Sequence, residues 1–224
     1  IKRILEDMGW HDDTLMSYLK SGFPMAGDLP ISHLWFEEQS KASEMSVSDL
    51  LKASPAHREA TIAAATKRSA RPSTAADREI WRQTLLEADT GRISAPRKIR
   101  KSDLKAHRPL SHRFGISQLT SKGLLKIRNI DDFTASFVNA TTAVFERLQR
   151  NGIDDLVTLL DTISSLGYTC RLIKSDFKGA YRTCPVAPSD QVHCDLIVTD
   201  PISLEPRICT QKVLPFGAVA PVYG

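Results

Sequence analysis

The sequence lacks the features that mark membrane-spanning and secreted proteins. No stretch approaches the roughly 18 uninterrupted apolar residues of a membrane span, and the N-terminus has no apolar core of a signal peptide. These absences predict a soluble, intracellular protein without a membrane partner, and they do not distinguish cytoplasm from nucleus.

Cysteine and histidine are also too sparse and scattered for a zinc or disulfide framework. The four cysteines all fall in the last quarter of the chain, and none belongs to a Cys-x-x-Cys pair. We expect them to be buried thiols. None of the six histidines forms a His-x-x-x-His or His-Glu-x-x-His pair, so the sequence does not favour a histidine-bound metal.

What remains is ordinary globular composition. The 224 residues are 42% hydrophobic and 25% charged, with 11 glycines and 12 prolines, which excludes collagen-like and wholly disordered classes. We expect a helical N-terminal region over residues 1–72, with a boundary near Arg71-Pro72-Ser73, and a main region over 73–224. Since the chain begins with Ile and stops inside a motif, we expect it to be part of a longer protein.

Positive charge is concentrated in one segment. Residues 91–130 contain eleven lysines and arginines against one acid, Asp103, so this segment is at +10 in a chain whose net charge is +4. Such a segment is either a solvated basic loop or the footprint of a polyanion such as nucleic acid. The candidate nucleic-acid-binding residues are Arg97, Lys98, Arg100, Lys101 and Lys105.

Helices are predicted mainly in the first half. Asp13 is expected to cap a helix with Leu15, Tyr18 and Leu19 on one face, and Ser46 and Ser54-Pro55 are predicted as two further helix starts. The Ala-rich stretch 60–70 favours helix. The pattern from Thr74 to Thr90 predicts a stronger helix that ends at Gly91.

Strands are predicted in the second half. Residues 113–118 and 124–128 flank a Gly-containing turn, which indicates a basic hairpin. A helix over 154–165 with its leucines inward should lead into a strand over 169–175. Alternation over 192–198 indicates a half-buried strand, paired with a strand at 207–213. The fold class predicted is α+β with antiparallel pairing, because the connections are too short for parallel crossovers.

Three blocks occur in a recognisable order. The first runs from Lys126 to Phe133 with Asn139 a few residues on, the second runs from Ser175 to Val186, and the third is Leu214-Pro215-Phe216-Gly217. Together they resemble the reverse transcriptases of retroelements, which are RNA-directed DNA polymerases, over roughly residues 74–224. The resemblance implies the fingers and part of the palm of a right-hand polymerase.

The resemblance also implies roles for individual residues. Asp176 would be the catalytic carboxylate and would bind Mg²⁺ with the Phe177 carbonyl, since hard oxygen ligands suit this ion. Tyr181 would exclude the ribose 2′-hydroxyl of an incoming nucleotide. The implied partners are a template-primer and a deoxynucleoside triphosphate. The remaining nucleotide-binding candidates are Lys126, Arg128, Asp132, Phe216 and Gly217.

Each of these residues also has an ordinary structural interpretation. Tyr181 and the third block could be core and turn, Asp131 and Asp132 could pair locally with Arg128, and a lone Asp such as Asp176 is commonly a turn residue or cap. The aromatic-x-Asp-Asp motif that supplies the remaining palm carboxylates is absent from these 224 residues, so we expect this chain alone not to polymerise.

Three hypotheses follow. The chain is a fragment of a reverse transcriptase, or a non-catalytic nucleic-acid-binding relic that uses segment 91–130, or a helical interaction module over 1–70 joined to an inert remnant.

Overall fold

The computed structural model describes residues 14–149, 151–174 and 179–223, together with Arg3, Asp7 and Gly9. The helices are α1 (Leu15–Ser21), α2 (Val47–Ser69), α3 (Ala75–Asp89), α4 (Lys101–Leu104), α5 (Ile153–Ser165) and α6 (Ala220–Tyr223). The strands are β1 (Phe36–Lys41), β2 (Arg97–Lys98), β3 (Leu110–Leu119), β4 (Leu125–Asp132), β5 (Val144–Arg147), β6 (Asp195–Asp200) and β7 (Glu205–Thr210). Among the described helices, none is long and apolar enough to cross a membrane.

A five-stranded sheet organises the molecule. Its strand order is β2-β7-β6-β3-β4, and a separate pair joins β1 to β5. The predicted basic hairpin is confirmed as β3 and β4, and the predicted strand pair near the C-terminus is confirmed as β6 and β7. The expectation of purely antiparallel pairing is wrong in one place, because β3 and β6 run parallel. The long stretch between them leaves ample chain for the crossover. The fold is thus mixed α and β, compatible with α+β.

Strand β6 is the centre of the core. It was expected to be half-buried, but its side chains are buried on both faces of the sheet. Leu196 packs into one apolar cluster with Phe133 and Val186, whereas Ile197 packs into a second cluster with Ile62 and Ile208. A strand that is covered on both faces carries consecutive apolar residues, here Leu196, Ile197 and Val198. The alternating pattern read from residues 192–198 therefore predicted too little burial.

Helix α2 begins where the sequence predicts and continues past the second predicted start. The Asp49 N–H donates to Ser46 Oγ over 3.0 Å, which is the expected cap. Ser54 is not a cap, since its hydroxyl donates back to Leu50 O inside one continuous helix. Pro55 has no N–H for Leu51 O, and His107 Nδ1 lies 3.1 Å from that carbonyl as a donor. An outside donor therefore replaces the hydrogen bond that proline removes.

Helix α3 is confirmed, with a capping box between Thr74 and Asp77 and a left-handed Gly91 after its end. Its buried residues are Ile80 and Thr84, and it packs against β3, β4 and β6. This helix and strand β4 form two walls of the site described below.

The region after β5 departs most from expectation. Helix α5 is present, but none of its residues is buried, so its leucines do not face a core. The strand predicted over 169–175 is absent from its described part, 169–174, where Ile173 is 93% exposed. This segment pairs with no described strand, and an apolar run without a neighbour gains no ladder of hydrogen bonds.

The N-terminal region shares its core with the C-terminal half. Phe23 N–H donates to Pro185 O, and Ala187 N–H donates back to Phe23 O. Phe23, Met25 and Leu29 are buried in the same cluster as Leu196. Of the four cysteines, the two later ones, Cys194 and Cys209, are buried, whereas Cys184 is half-buried and Cys170 is exposed. The cap expected at Asp13 lies outside the described residues.

Candidate functional site

A cavity of about 530 Å³ lies between helix α3 and the edge strand β4. This volume falls within the roughly 300–1,000 Å³ of small-molecule sites. The lining residues come from α3 and its C-terminal turn, from β4, and from two later loops: Gln83, Leu86, Glu87, Thr90, Arg92, Lys126, Ile127, Arg128, Asn129, Ile130, Gly179, Arg182 and Phe216. The cavity is therefore built from parts of the chain that are far apart in sequence.

Beneath the cavity lies a buried cluster of four charged side chains. Arg113 on β3 donates to both carboxylate oxygens of Asp131 on β4, over 2.7 and 3.0 Å. Its third nitrogen donates to Glu87 over 2.8 Å, and Arg182 donates to the same Glu87 oxygen over 2.9 Å. Arg113 and Asp131 are fully buried, Arg182 is nearly so, and Glu87 is partly buried. We call these four residues the charge cluster.

The charge cluster is electrically balanced. Burial by itself lowers the pKa of Arg113, but the charge of Asp131, its hydrogen bonds and the charge of Glu87 outweigh burial and raise that pKa well above its ordinary value. Arg113 therefore stays charged, and both carboxylates are held by arginines. The alternative of a local ion pair between Arg128 and Asp131 or Asp132 does not hold: Asp131 turns inward to Arg113, and Arg128 donates to Gln118.

Arg182 connects the charge cluster to the rim of the cavity. Its guanidinium lies 5.7 Å from the centre of the Phe216 ring. Tyr181 meets the same ring edge to face, with 5.8 Å between ring centres. The loop that carries Tyr181 and the loop that carries Phe216 are thus joined at one edge of the cavity.

The first and third sequence blocks are in direct contact. Asn139 Nδ2 donates to Gly217 O over 3.0 Å, and Val219 N–H donates to Asn139 Oδ1 over 2.9 Å. Gly217 has φ +102°, and a Cβ at this position would overlap the Asp131 carbonyl oxygen. The backbone approach that requires this glycine is therefore to β4.

The predicted nucleotide-binding residues are only partly brought together. Lys126, Arg128 and Phe216 line the cavity, and Tyr181 contacts Phe216 without lining it. Asp132 accepts a hydrogen bond from Ala135 N–H and caps a turn outside the cavity. Arg128 also donates to Gln118 on the neighbouring strand.

The residues assigned to metal binding, Asp176 and Phe177, lie outside the described residues. Within the described part of the chain, no cluster of three His, Cys, Asp or Glu side chains could hold a metal ion. The two carboxylates nearest the cavity, Glu87 and Asp131, are occupied by arginines. The described residues thus do not form a Mg²⁺ site.

The basic segment divides between the two edges of the sheet. Arg97 on β2 is held by Asp103 through two 2.7 Å hydrogen bonds, and Lys98 lies 3.4 Å from Glu205. The pairing with Arg97 lowers the pKa of Asp103 to about 2, against the effect of burial. Strand β4, with Lys126 and Arg128, is the opposite edge.

Three of the five candidate nucleic-acid-binding residues are free cations on the surface. Arg100, Lys101 and Lys105 are exposed and form no ion pair with any described residue. The sequence therefore overstates the continuity of the basic surface, because Arg97 has a structural role and the remaining cations lie at two sites.

Sequence reasoning missed the charge cluster and Asn129. The four cluster residues are spread from position 87 to 182, so no local spacing connects them. Asn129 is a buried residue of β4. It follows Arg128 in the sequence and lines the same cavity. The strands gave little signal, because β3 and β4 carry polar side chains at about half of their positions or more and the sequence does not show which of them are buried.

Comparison with known proteins adds no relative: no protein-family model matches the chain, and no curated protein matches it.

Proposed function

We propose that the chain is a fingers and partial palm region of a reverse transcriptase-like nucleotidyltransferase, and that the cavity between α3 and β4 receives a deoxynucleoside triphosphate. The observation that carries this proposal is that residues from all three sequence blocks meet at one cavity. Residues 126–130, Gly179 and Phe216, one group from each of the three sequence blocks, line the same cavity.

The charge of the cavity favours an anionic ligand. Its described lining includes Arg92, Lys126, Arg128 and Arg182, against the single acid Glu87. Glu87 is already neutralised by Arg113 and Arg182. Cations in a concave site attract phosphate groups and offset the charge that spreads over phosphoryl oxygens during transfer.

The chemistry assigned to this chain's residues is binding and discrimination. Lys126 and Arg128 would grip the triphosphate, and the Tyr181 ring, supported by Phe216, would occupy the space of a 2′-hydroxyl. Mg²⁺, bound through Asp176 and Phe177, would stabilise the attacking and leaving oxygens. The template-primer and the DNA product belong to the parent enzyme, of which these residues would supply one part.

Titration calorimetry with dTTP tests the proposal on this chain, because Lys126 and Arg128, which would hold the triphosphate, both line the cavity. Lys126→Ala and Arg128→Ala should each weaken binding by about ten- to a hundredfold, since hydrogen bonds to charged groups contribute about 1.5–3 kcal/mol. Lys101→Ala, at the opposite edge of the sheet, is the matched control and should bind normally. Absence of dTTP binding by the unmodified chain would overturn the proposal.

A sugar comparison tests the assignment of Tyr181. The unmodified chain should bind dUTP more tightly than UTP, and Tyr181→Ala should reduce that difference, because the ring is then missing. Equal discrimination by both proteins would remove Tyr181 from the site.

A second candidate is nucleic-acid binding through the free cations Arg100, Lys101 and Lys105. Affinity for a single-stranded oligodeoxynucleotide should then fall with salt, and replacing all three by serine should reduce the slope of log affinity against log salt by up to about 2. Replacing Lys122, Lys126 and Arg128 by serine is the matched variant at the other edge. A salt-insensitive affinity would reject this candidate.

A further inference from the structure

Helix α5 presents an apolar face that the described part of the chain leaves largely open. None of its residues is buried, and Ile153 and Leu159 are 70% and 55% exposed. An amphipathic helix normally packs its apolar face against another element. The apolar side chains of α5 recur at helical spacing and form one stripe, made of Ile153, Leu156, Val157, Leu159, Leu160 and Ile163.

The charge of α5 is entirely negative. Residues 151–166 contain the three acids Asp154, Asp155 and Asp161 and no lysine, arginine or histidine. Asp155 accepts from Gly152 N–H at the start of the helix. At about 100° of rotation per residue, Asp154 and Asp161 lie side by side along one border of the apolar stripe. A surface that covers the stripe therefore meets these two acids at its edge.

The tip of the β3–β4 hairpin is a second apolar surface, and its charge is positive. Leu119 and Leu125 pair across the two strands, so their side chains share one face of the hairpin. These two leucines and Leu124 are each at least 65% exposed, and Lys122 lies in the turn between them. Residues 116–130 contain three cations and no acid. We call the three leucines and Lys122 the hairpin tip.

The side chains of the hairpin tip favour a protein partner over nucleic acid. Unpaired bases stack on aromatic rings, and residues 116–130 contain no aromatic side chain. Aliphatic side chains gain instead by burying apolar surface, and exposed apolar patches with a polar border mark protein contacts. The partner that fits is therefore apolar with a negative border, and α5 has both properties, at −3 against the +3 of the hairpin.

We propose that α5 of one copy of the chain docks on the hairpin tip of a second copy. The apolar stripe would cover the three leucines, while Asp154 and Asp161 approach Lys122. This is the helix-in-groove type of recognition, with apolar anchors at helical spacing. Each copy carries both surfaces, so a two-fold dimer makes the contact twice. The self-association does not require the proposed nucleotide site.

Sedimentation velocity of the unmodified chain tests the association. The average mass should rise over a concentration series up to about 200 µM, since small interfaces give weak, transient complexes. Leu125→Ser should weaken the association about tenfold or more, because it removes buried apolar surface from both contacts. Ile202→Ser is the matched control: Ile202 is 87% exposed in the turn between β6 and β7, so this variant should associate like the unmodified chain.

An exchange of charge gives a result that a folding defect cannot imitate. Lys122→Glu should weaken association about tenfold, because like charges then face each other. Adding Asp154→Lys and Asp161→Lys to the same chain should restore association, since the opposite signs are then exchanged between the two surfaces.

Three results would overturn the proposal. The first is an unmodified chain that stays monomeric over the whole series, and the second is association that Leu125→Ser and Lys122→Glu leave unchanged. The third is failure of the charge exchange to restore what Lys122→Glu removes. If a monomeric chain binds an oligodeoxynucleotide and Leu125→Ser weakens that binding, the hairpin tip is a nucleic-acid contact and the proposal is wrong.

Discussion

Asn139 and Gly217 are 78 positions apart and are joined by a 3.0 Å hydrogen bond from the Asn139 amide to the Gly217 carbonyl. The same side chain accepts from Val219 N–H and donates to Thr134 Oγ1. One asparagine therefore fixes the loop that carries Phe216 to the turn that follows β4. Phe216 lines the cavity, so the position of that wall depends on this contact.

Replacing Asn139 by Ala should destabilise the fold by about 1–3 kcal/mol, because Val219 N–H and Gly217 O lose their partner. Urea unfolding at neutral pH measures the change. Asn151→Ala, at an exposed position, is the control and should unfold like the unmodified chain. Equal stability of the two variants would show that the Asn139 contacts are dispensable.

Gly217→Ala should be considerably more damaging than an alanine at other left-handed glycines. Position 217 has φ +102°, and its new Cβ would overlap Asp131 O. Gly123 has φ +72°, and no atom lies within 4 Å of the place that a Cβ would take there. Gly123→Ala should lower the free energy of unfolding by about 1–2 kcal/mol, because only the left-handed backbone conformation disfavours alanine there. Thermal unfolding of both variants checks this, and a similar loss for each would contradict the close approach at Gly217.

Arg113→Met should destabilise the chain by about 3–5 kcal/mol, because it leaves Asp131 as a buried charge with only Arg182, at 3.9 Å, nearby. Urea unfolding provides the measurement. The control is Arg82→Met, which breaks an exposed pair with Glu79 and should leave stability almost unchanged. If both variants lose the same stability, the buried charge cluster stabilises the fold no more than an exposed ion pair does.

The fold should also lose stability in mild acid through His112. Burial, reinforced by the charge of Arg68, lowers the pKa of this histidine from 6.5 to about 4. The unfolded chain therefore takes up a proton between these values that the folded chain does not, so stability is full above pH 6.5 and declines towards pH 4.

His112→Gln isolates this effect. Urea unfolding at pH 7, 5.5 and 4.5 should show a shallower decline for the variant than for the unmodified chain, which retains the titrating ring. Parallel declines would show that other groups, such as His193, whose pKa burial also lowers, account for the acid sensitivity.

Local signals in the sequence were sufficient for many of the elements. The helix start at Ser46, the helix from Thr74 and its end at Gly91 depend on short-range features, and the structure has them where they were expected. The β3–β4 hairpin is likewise local. Pro55 misled the prediction because its compensating donor, His107, lies more than fifty positions away.

The parts that failed depend on long-range contacts. The burial of β6 on both faces requires knowledge of which helices cover the sheet, and its parallel pairing with β3 joins distant segments. Of the site, Lys126, Arg128 and Phe216 were expected from their blocks and line one cavity. The charge cluster joins α3, β3, β4 and the loop at Arg182, so no local pattern could reveal it.

The order of strands in the sheet also affects when the core can form during synthesis of the chain. Strand β3 ends at residue 119 and its central neighbour β6 begins only at residue 195. At roughly 5–20 residues per second, the ribosome needs on the order of 10 s to cover that interval. During this time Ile62 of α2 and Leu110 of β3 lack Ile197 of β6, with which they pack in the finished fold, so this part of the core closes only late in synthesis.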